Sequence, residues 1–326
     1  MIFRVFRPEV FQGDLKKTNY FEGWYFKHVS KDLKHVWSFI PGVSLVKNDP
    51  HAFIQAIDGV NGNSEYFTYS LSDFSWSRKS LFLKLGNSIF TDKKIIMDAR
   101  NDKLEVTGTI EYRNLAKFPG KLLSPGIMGW YSFVPFMECK HGIVSATHDL
   151  RGTLNISGEE IDFSRGKGYI EKDWGTSFPE VWLWVQANNF NEPLTSFSFS
   201  VAKIPWLGRF FMGFISFLYY DGKYHVFATY NKSGLTRVQH SDRQISFNLM
   251  NRDNLLEVEI QKYSFGELRA PVQGNMTRRI KESIDSEVRL NLYDRNMKLL
   301  YSDTSKRAGL EVVEKIFDYL KPEDND

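Results

Sequence analysis

The rhythm of the apolar runs constrains this chain more than any other feature. From Tyr20 onward, short stretches rich in aromatic and β-branched residues alternate with Gly, Asn, Asp or Ser: residues 20–29, 35–40, 52–57, 66–71 and 81–85. Runs of this length bounded by turn formers read as strands. The 15% aromatic content supports the same reading, because large rings suit a pleated, half-buried surface. Asp221-Gly222 stands between the runs 214–220 and 224–230, the signal of a tight primed turn. Gly158, between 152–156 and 161–163, reads the same way, as do residues 294–297 between 287–293 and 298–302. These pairs are expected to be antiparallel neighbours.

Many evenly spaced strands imply closed or stacked sheets, since closure removes exposed edges. The expected fold is all-β: two lipocalin-like antiparallel β-barrels or half-barrels. A length of 326 residues suits two units, divided near the polar stretch 157–168 into residues 1–160 and 161–326. Segment 115–123 is broken by Pro119 and Gly120 and reads as a loop. The tail 306–320 places Leu310, Val313, Ile316, Phe317 and Leu320 at helical spacing, which predicts a C-terminal helix over a barrel end.

Composition narrows the function classes. A hydrophobic fraction of 42% and a charged fraction of 25% belong to a globular chain, not a disordered one. A net charge of +3 is too small for a phosphate-binding face, and the basic run Arg278, Arg279, Lys281 reads as a solvated loop or strand end, with anionic lipid or ligand contact as the alternative, so no nucleic-acid partner is expected. Cys139 is the only cysteine, so no internal disulfide forms. The opening MIFRVFRPEV has no apolar core of a signal peptide, and a cytoplasmic location is expected. The longest apolar run, 210–220, is shorter than the about 20 residues a bilayer requires, but it could make a peripheral membrane contact. Nothing in the sequence points to an oligomeric state.

The densest polar and aromatic cluster is GYIEKDWGTSFPEVWLWVQANNF, residues 168–190, read as two strands joined at 175–179. Alternation puts Tyr169, Glu171 and Asp173 on one face and Ile170, Lys172 and Trp174 on the other. The two carboxylates would stand roughly 7 Å apart. Beyond the turn Trp182, Trp184, Gln186 and Asn188 share a face, while Val181, Leu183, Val185 and Ala187 look like core. Paired carboxylates on a buried face raise each other's pKa, so one can serve as an acid near neutrality. The alternative is structural: Glu171 pairs with Lys172 or a distant arginine, and the tryptophans pack as core.

In FEGWYFK, residues 21–27, Glu22 shares a face with Trp24 and Phe26. A carboxylate among apolar neighbours is partnered, near a strand entrance, or functional. A third cluster, 124–150, holds Glu138, Cys139, His141, His148 and Asp149. The ligand spacing is too loose for zinc, so no metal is expected. His148 reads as a pocket base or as a structural histidine. Neither a nucleophile elbow nor a phosphate loop nor a dinucleotide fingerprint is present, which argues against hydrolase and nucleotide chemistry.

These residues resemble the tocopherol cyclase family. The matching pieces are FEGWYFK from Phe21, EKDWG with its following FP and tryptophan-rich strand from Glu171 to Asn188, YYDGK at Tyr219 and LRAP at Leu268. The family is similar in turn to carotenoid hydratase-like proteins with paired lipocalin-like barrels. The resemblance implies a cofactor-free cyclisation in which a prenylated hydroquinone closes a chromanol ring. It therefore implies a hydrophobic prenylated small molecule as partner. An acid protonates the alkene, and the phenol oxygen captures the cation in a site that excludes water. Glu171 is the candidate acid, and Glu22 or His148 the candidate partner of the phenol. Trp24, Tyr169, Asp173, Trp174, Trp182, Trp184, Gln186 and Asn188 are candidate substrate contacts. The chain departs from the plant-type EKNWG pattern by carrying Asp173.

A non-catalytic lipocalin-like carrier of an isoprenoid is the rival reading, because apolar walls suffice for binding. Buried ionisable groups discriminate the two, since only the cyclase needs them.

Overall fold

A computed structural model describes the backbone of residues 2–263 and 266–320. Their regular structure is antiparallel strand with short 3-10 turns, and no α-helix occurs among the described residues. Two compact units divide the chain, Met1–Phe178 with Glu267–Arg279, and Pro179–Gly266 with Ile280–Asp326.

The first sheet has twelve strands. Its path begins Ser64–Tyr69, His51–Asp58, Val36–Leu45, Tyr20–Val29, Lys167–Gly175, Cys139–Ile156. It continues through Glu105–Arg113, Lys94–Arg100, Ser88–Thr91 and Phe82–Leu85 to Phe74–Trp76, with Glu159–Asp162 paired off the path to Cys139–Ile156. The curled sheet encloses a core that includes Trp24, Phe26, Phe39, Ile54, Phe90 and Ile110.

The second sheet has ten strands. Its path is Lys223–Ala228, Arg209–Tyr220, Ser196–Trp206, Trp182–Ala187, Leu299–Val312, Asn275–Asp294, Asn254–Gln261, Gln244–Met250 and Gly234–His240. Gly266–Val272 pairs off the path with Asn275–Asp294. The core of this unit includes Leu183, Val185, Phe199, Phe247, Leu256 and Leu290. The fold is the expected all-β architecture of two lipocalin-like half-barrels.

Turn chemistry fixes the hairpins. Asp221 and Gly222 have φ of 49° and 70°, and Ser157 and Gly158 have φ of 51° and 94°. Two successive positive φ values make a primed turn, whose twist matches that of the flanking strands. Burial then separates central from outer strands. Lys94–Arg100 alternates exposed and buried residues, as a strand with one wet face should. Tyr20–Val29 and Trp182–Ala187 are buried along almost their whole length on both faces. The polar residues on those central strands therefore need partners.

Two expectations differ from the structure. The tail is not a helix: Leu299–Val312 is a strand, followed by the 3-10 turn Glu314–Asp318. Ladders are available on both sides, with Leu310 opposite Val185 and Ser283, and this pairing overrides the helical spacing. The division between the units falls after Phe178, not within 157–168. Lys167–Gly175 lies between Tyr20–Val29 and Cys139–Ile156 and so completes the first sheet. The run 210–220 lies within Arg209–Tyr220, which pairs over 209–219 with Ser196–Trp206 and over 215–220 with Lys223–Ala228; Phe214, Phe217 and Leu218 are buried and Phe210 is exposed at its start.

Segment 115–123 is an irregular loop, as expected. Arg278 and Arg279 lie on Asn275–Asp294, while the Lys281 side chain falls outside the described residues. Among the described residues no helix is long and apolar enough to cross a membrane.

Candidate functional site

The three central strands of the first sheet carry charged residues on both faces, and the two faces do different work. On the core face, Glu22 and Lys172 form an ion pair at 2.5 Å with both side chains fully buried. Glu22 also accepts hydrogen bonds from Gln12 N at 2.7 Å, Gly13 N at 2.9 Å and the Tyr20 hydroxyl at 2.6 Å. Lys172 donates to the carbonyls of Pro8 at 2.8 Å and Val10 at 2.6 Å. Its ammonium lies 4.5 Å from the Trp24 ring centroid and 4.7 Å from that of Trp174. Burial pulls the Lys172 pKa down, with the Glu22 carboxylate opposing it. Burial pushes the Tyr20 phenol up, and Glu22 adds to the shift. Glu22, Trp24 and Trp174 thus belong to a satisfied cluster that ties residues 8–13 to the sheet.

On the opposite face the register brings together residues distant in sequence. Asp173 lies across from Gly23 and His141, Glu171 across from Tyr25 and Ile143, and Tyr169 across from Lys27. Alternation makes this one surface, and Tyr25, Lys27, Tyr169 and Glu171 on it are buried. The Tyr169 hydroxyl donates to Oε2 of Glu171 at 2.5 Å. His141 Nδ1 lies 2.9 Å from Oδ1 of Asp173, and its Nε2 lies 3.6 Å from Oε2 of Glu171. Cys139 Sγ lies 3.9 Å from the same Asp173 oxygen.

Burial opposes a charge on His141. The Asp173 and Glu171 carboxylates and the Asp173 hydrogen bond outweigh it, raising the imidazole pKa to about 9. The ring is therefore an imidazolium at neutral pH, bracketed by two carboxylates. Among the described residues this trio is the one group of three His, Cys, Asp or Glu ligand atoms within 4.8 Å of one another. A different ring nitrogen faces each carboxylate, an arrangement that holds a proton on each nitrogen.

His148 lies elsewhere. The strand Cys139–Ile156 shifts register between Ile143 and Ser145 and again before His148, and the ring turns into the core. It packs on Tyr112 at 4.4 Å, and Ser145 Oγ lies 3.0 Å from its Nδ1. Burial pushes its pKa well below the usual histidine value, with His28 and Lys167 adding to the shift. Gly168 is required beside it, since a Cβ there would stand 2.2 Å from the His148 Nε2. His148 is a neutral core histidine, away from the face that carries Glu171.

The strand Trp182–Ala187 belongs to the second unit. Its core side is Val181, Leu183, Val185 and Ala187, as the alternation predicts. On the other side Trp182, Trp184, Gln186 and Asn188 are buried, and Trp182 Nε1 donates to Glu311 at 2.8 Å. The structure thus brings Tyr169, Glu171 and Asp173 together, and it places Trp182, Trp184 and Gln186 in a different sheet, with Asn188 just beyond that strand. His141, Lys27 and Tyr25 complete the polar face and were missed as site residues. The odd-numbered alternation of 139–143 was the available signal for His141, but its partner strand could not be read from the sequence.

Comparison with known proteins bears on both fold and family. The solved structure of CghA superimposes with a TM-score of 0.56 over 90% of this chain and 88% of that chain, at 11% identity, a likeness of fold. The maize chloroplastic tocopherol cyclase is 26% identical over an alignment of 202 residues, and the match covers 56% of this chain and 41% of the maize protein. The chain therefore spans less than half the length of this curated relative. The Tocopherol cyclase-like family model matches residues 110–313, which takes in the strands bearing His141, Tyr169, Glu171 and Asp173, and the chain belongs to that family.

Proposed function

We propose that this protein is an enzyme that closes a chromanol ring on a prenylated hydroquinone, with Glu171 delivering the proton. The observation that supports the reading is the relay of Tyr169, Glu171, His141 and Asp173, buried at its Tyr169–Glu171 end. His141 stores the proton as an imidazolium. An apolar substrate that expels water weakens an ion pair relative to its neutral form, so the Nε2 proton passes to Glu171 while Asp173 holds Nδ1–H. The 3.6 Å separation is long for a hydrogen bond and shortens in the loaded site.

Protonated Glu171 then adds its proton to the trisubstituted alkene. A C–H bond forms as the π bond breaks, leaving a tertiary cation. The phenol oxygen attacks that carbon, and the phenol proton returns to the Glu171 carboxylate. Atoms and electrons balance within one molecule, so the reaction is an isomerisation. The Tyr169 hydroxyl stabilises the carboxylate left after the first transfer.

The test is turnover of a short-chain prenyl hydroquinone by the wild type and by Glu171→Gln, followed by chromatography for the chromanol. Chromanol from the wild type, lost at least about a hundredfold in the variant while ligand binding persists, is the expected result. Tight binding without product from either protein would replace this reading with a carrier. A tertiary alcohol in place of the chromanol would identify water as the nucleophile.

A further inference from the structure

The loop joining Glu105–Arg113 to Cys139–Ile156 presents apolar side chains where turn chemistry calls for polar ones. Lys121 and Ser124 close a tight turn, with Lys121 N to Ser124 O at 2.8 Å and Ser124 N to Lys121 O at 2.9 Å. Gly, Pro, Asn, Asp and Ser dominate such corners because they meet the backbone demands and solvate well. Here the corner is Leu122 and Leu123, which are 80% and 79% exposed. With Leu207 they are the most exposed large apolar side chains among the described residues. Further along the loop, Trp130, Phe133 and Phe136 are also exposed.

We propose that this loop, residues 117–136, inserts into the interface of an anionic lipid bilayer. The exposure of its side chains, highest at Leu122 and Leu123 and about half at Trp130, Phe133 and Phe136, favours a bilayer over a protein groove. The leucines stand at the tip, where acyl chains would receive them. The partly exposed tryptophan and phenylalanines suit the headgroup boundary, where aromatic rings concentrate. Charge matches the same occupant: residues 117–136 carry Lys117 and Lys121 and no acid, and Lys121 stands directly beside Leu122. A long basic side chain beside an inserted corner reaches lipid phosphates while its stem stays apolar.

The loop is anchored rather than loose. Lys140 Nζ donates to the Ser132 carbonyl at 2.9 Å, Lys117 pairs with Asp92 at 3.1 Å, and Phe133 meets the edge of Phe6 at 6.3 Å. Its inner side, through Phe118, Gly120 and Pro125, lines a cleft of about 240 Å³ that reaches Ile143. Ile143 is the residue opposite Glu171 on the neighbouring strand. The inference does not depend on the proposed reaction, because it rests on exposure, turn geometry and charge alone.

The experiment is flotation of the full chain with vesicles of phosphatidylcholine alone and of phosphatidylcholine mixed with phosphatidylglycerol. The wild type is expected to partition into both and more strongly into the anionic vesicles. The double variant Leu122→Asp, Leu123→Asp is expected to lower partitioning by at least about a hundredfold, with thermal unfolding unchanged. Leu122→Ser with Leu123→Ser serves if the acidic pair perturbs folding, with a loss of about tenfold or more. Lys121→Glu is expected to reduce the preference for anionic vesicles. Wild type that stays in solution, or partitioning that is unchanged in the leucine variants, overturns the proposal. So does a concentration-dependent dimer, seen by sedimentation and lost in the leucine variants, because a second copy would then be the occupant.

Discussion

His141 and Asp173 face each other across paired strands, Nδ1 to Oδ1 at 2.9 Å, and this contact holds a half-buried imidazole in its charged form. A folded-state value of about 9 lies above the ordinary 6.5. The pairing therefore contributes its full stability below about pH 6.5 and loses it as pH rises through about 9. Nuclear magnetic resonance of the ring protons, assigned by difference with His141→Gln, should show a midpoint near 9. Asp173→Asn, which brings the segment to the EKNWG form, should lower that midpoint by about one unit or more. A wild-type midpoint near the ordinary value would contradict the assignment of His141 as the proton store.

The acid side of the stability curve belongs to two other histidines. Burial lowers His28 to about 3, and burial with neighbouring positive charge pushes His148 well below its usual value. Both must stay neutral in the fold but take up protons in the unfolded chain. Their contribution is therefore complete above about pH 6.5 and declines as pH falls, by about 1.4 kcal/mol per pH unit for each histidine. Urea unfolding at a series of values between about pH 7.5 and 5 measures this slope. His28→Gln should remove roughly half of it, and a slope that stays unchanged would reject the attribution.

These histidines also mark where the sequence stops being legible. Local rules suffice for much of the fold: the strand Tyr20–Val29 and the Asp221-Gly222 turn are written in alternation and turn chemistry. Alternation likewise separates Val181, Leu183 and Val185, which enter the core, from Trp182 and Trp184. The candidate site depends instead on register between distant strands. His141 meets Asp173 from 32 residues away, and only the pairing of Cys139–Ile156 with Lys167–Gly175 reveals it. His148 looked equally available, but two register shifts turn it into the core, and bulges leave little trace in composition. The tail fails for a related reason. Leu310 and Val313 fit a helix until two neighbouring strands offer ladders, which local spacing does not encode.

Glu22 shows how a buried carboxylate can resemble catalysis while serving structure, and its pair with Lys172 gives a sharp test. Both side chains are fully buried, so removing either partner strands a charge. Lys172→Met leaves Glu22 with the donors of Gln12, Gly13 and Tyr20 but no cation. Glu22→Gln leaves an ammonium with two carbonyls and two indole faces. Each single substitution is expected to cost about 3–5 kcal/mol in urea unfolding. The double variant should cost less than the sum by about 2 kcal/mol or more, because the second change removes no further ion pair. Additivity within about 0.5 kcal/mol would mean that the pair is not coupled as its geometry requires. The pair lies on the core face and His141 on the other, so the His141 midpoint in the double variant should remain near 9. A large shift of that midpoint would show that Glu22 and Lys172 act on the proton relay and are not confined to holding the sheet together.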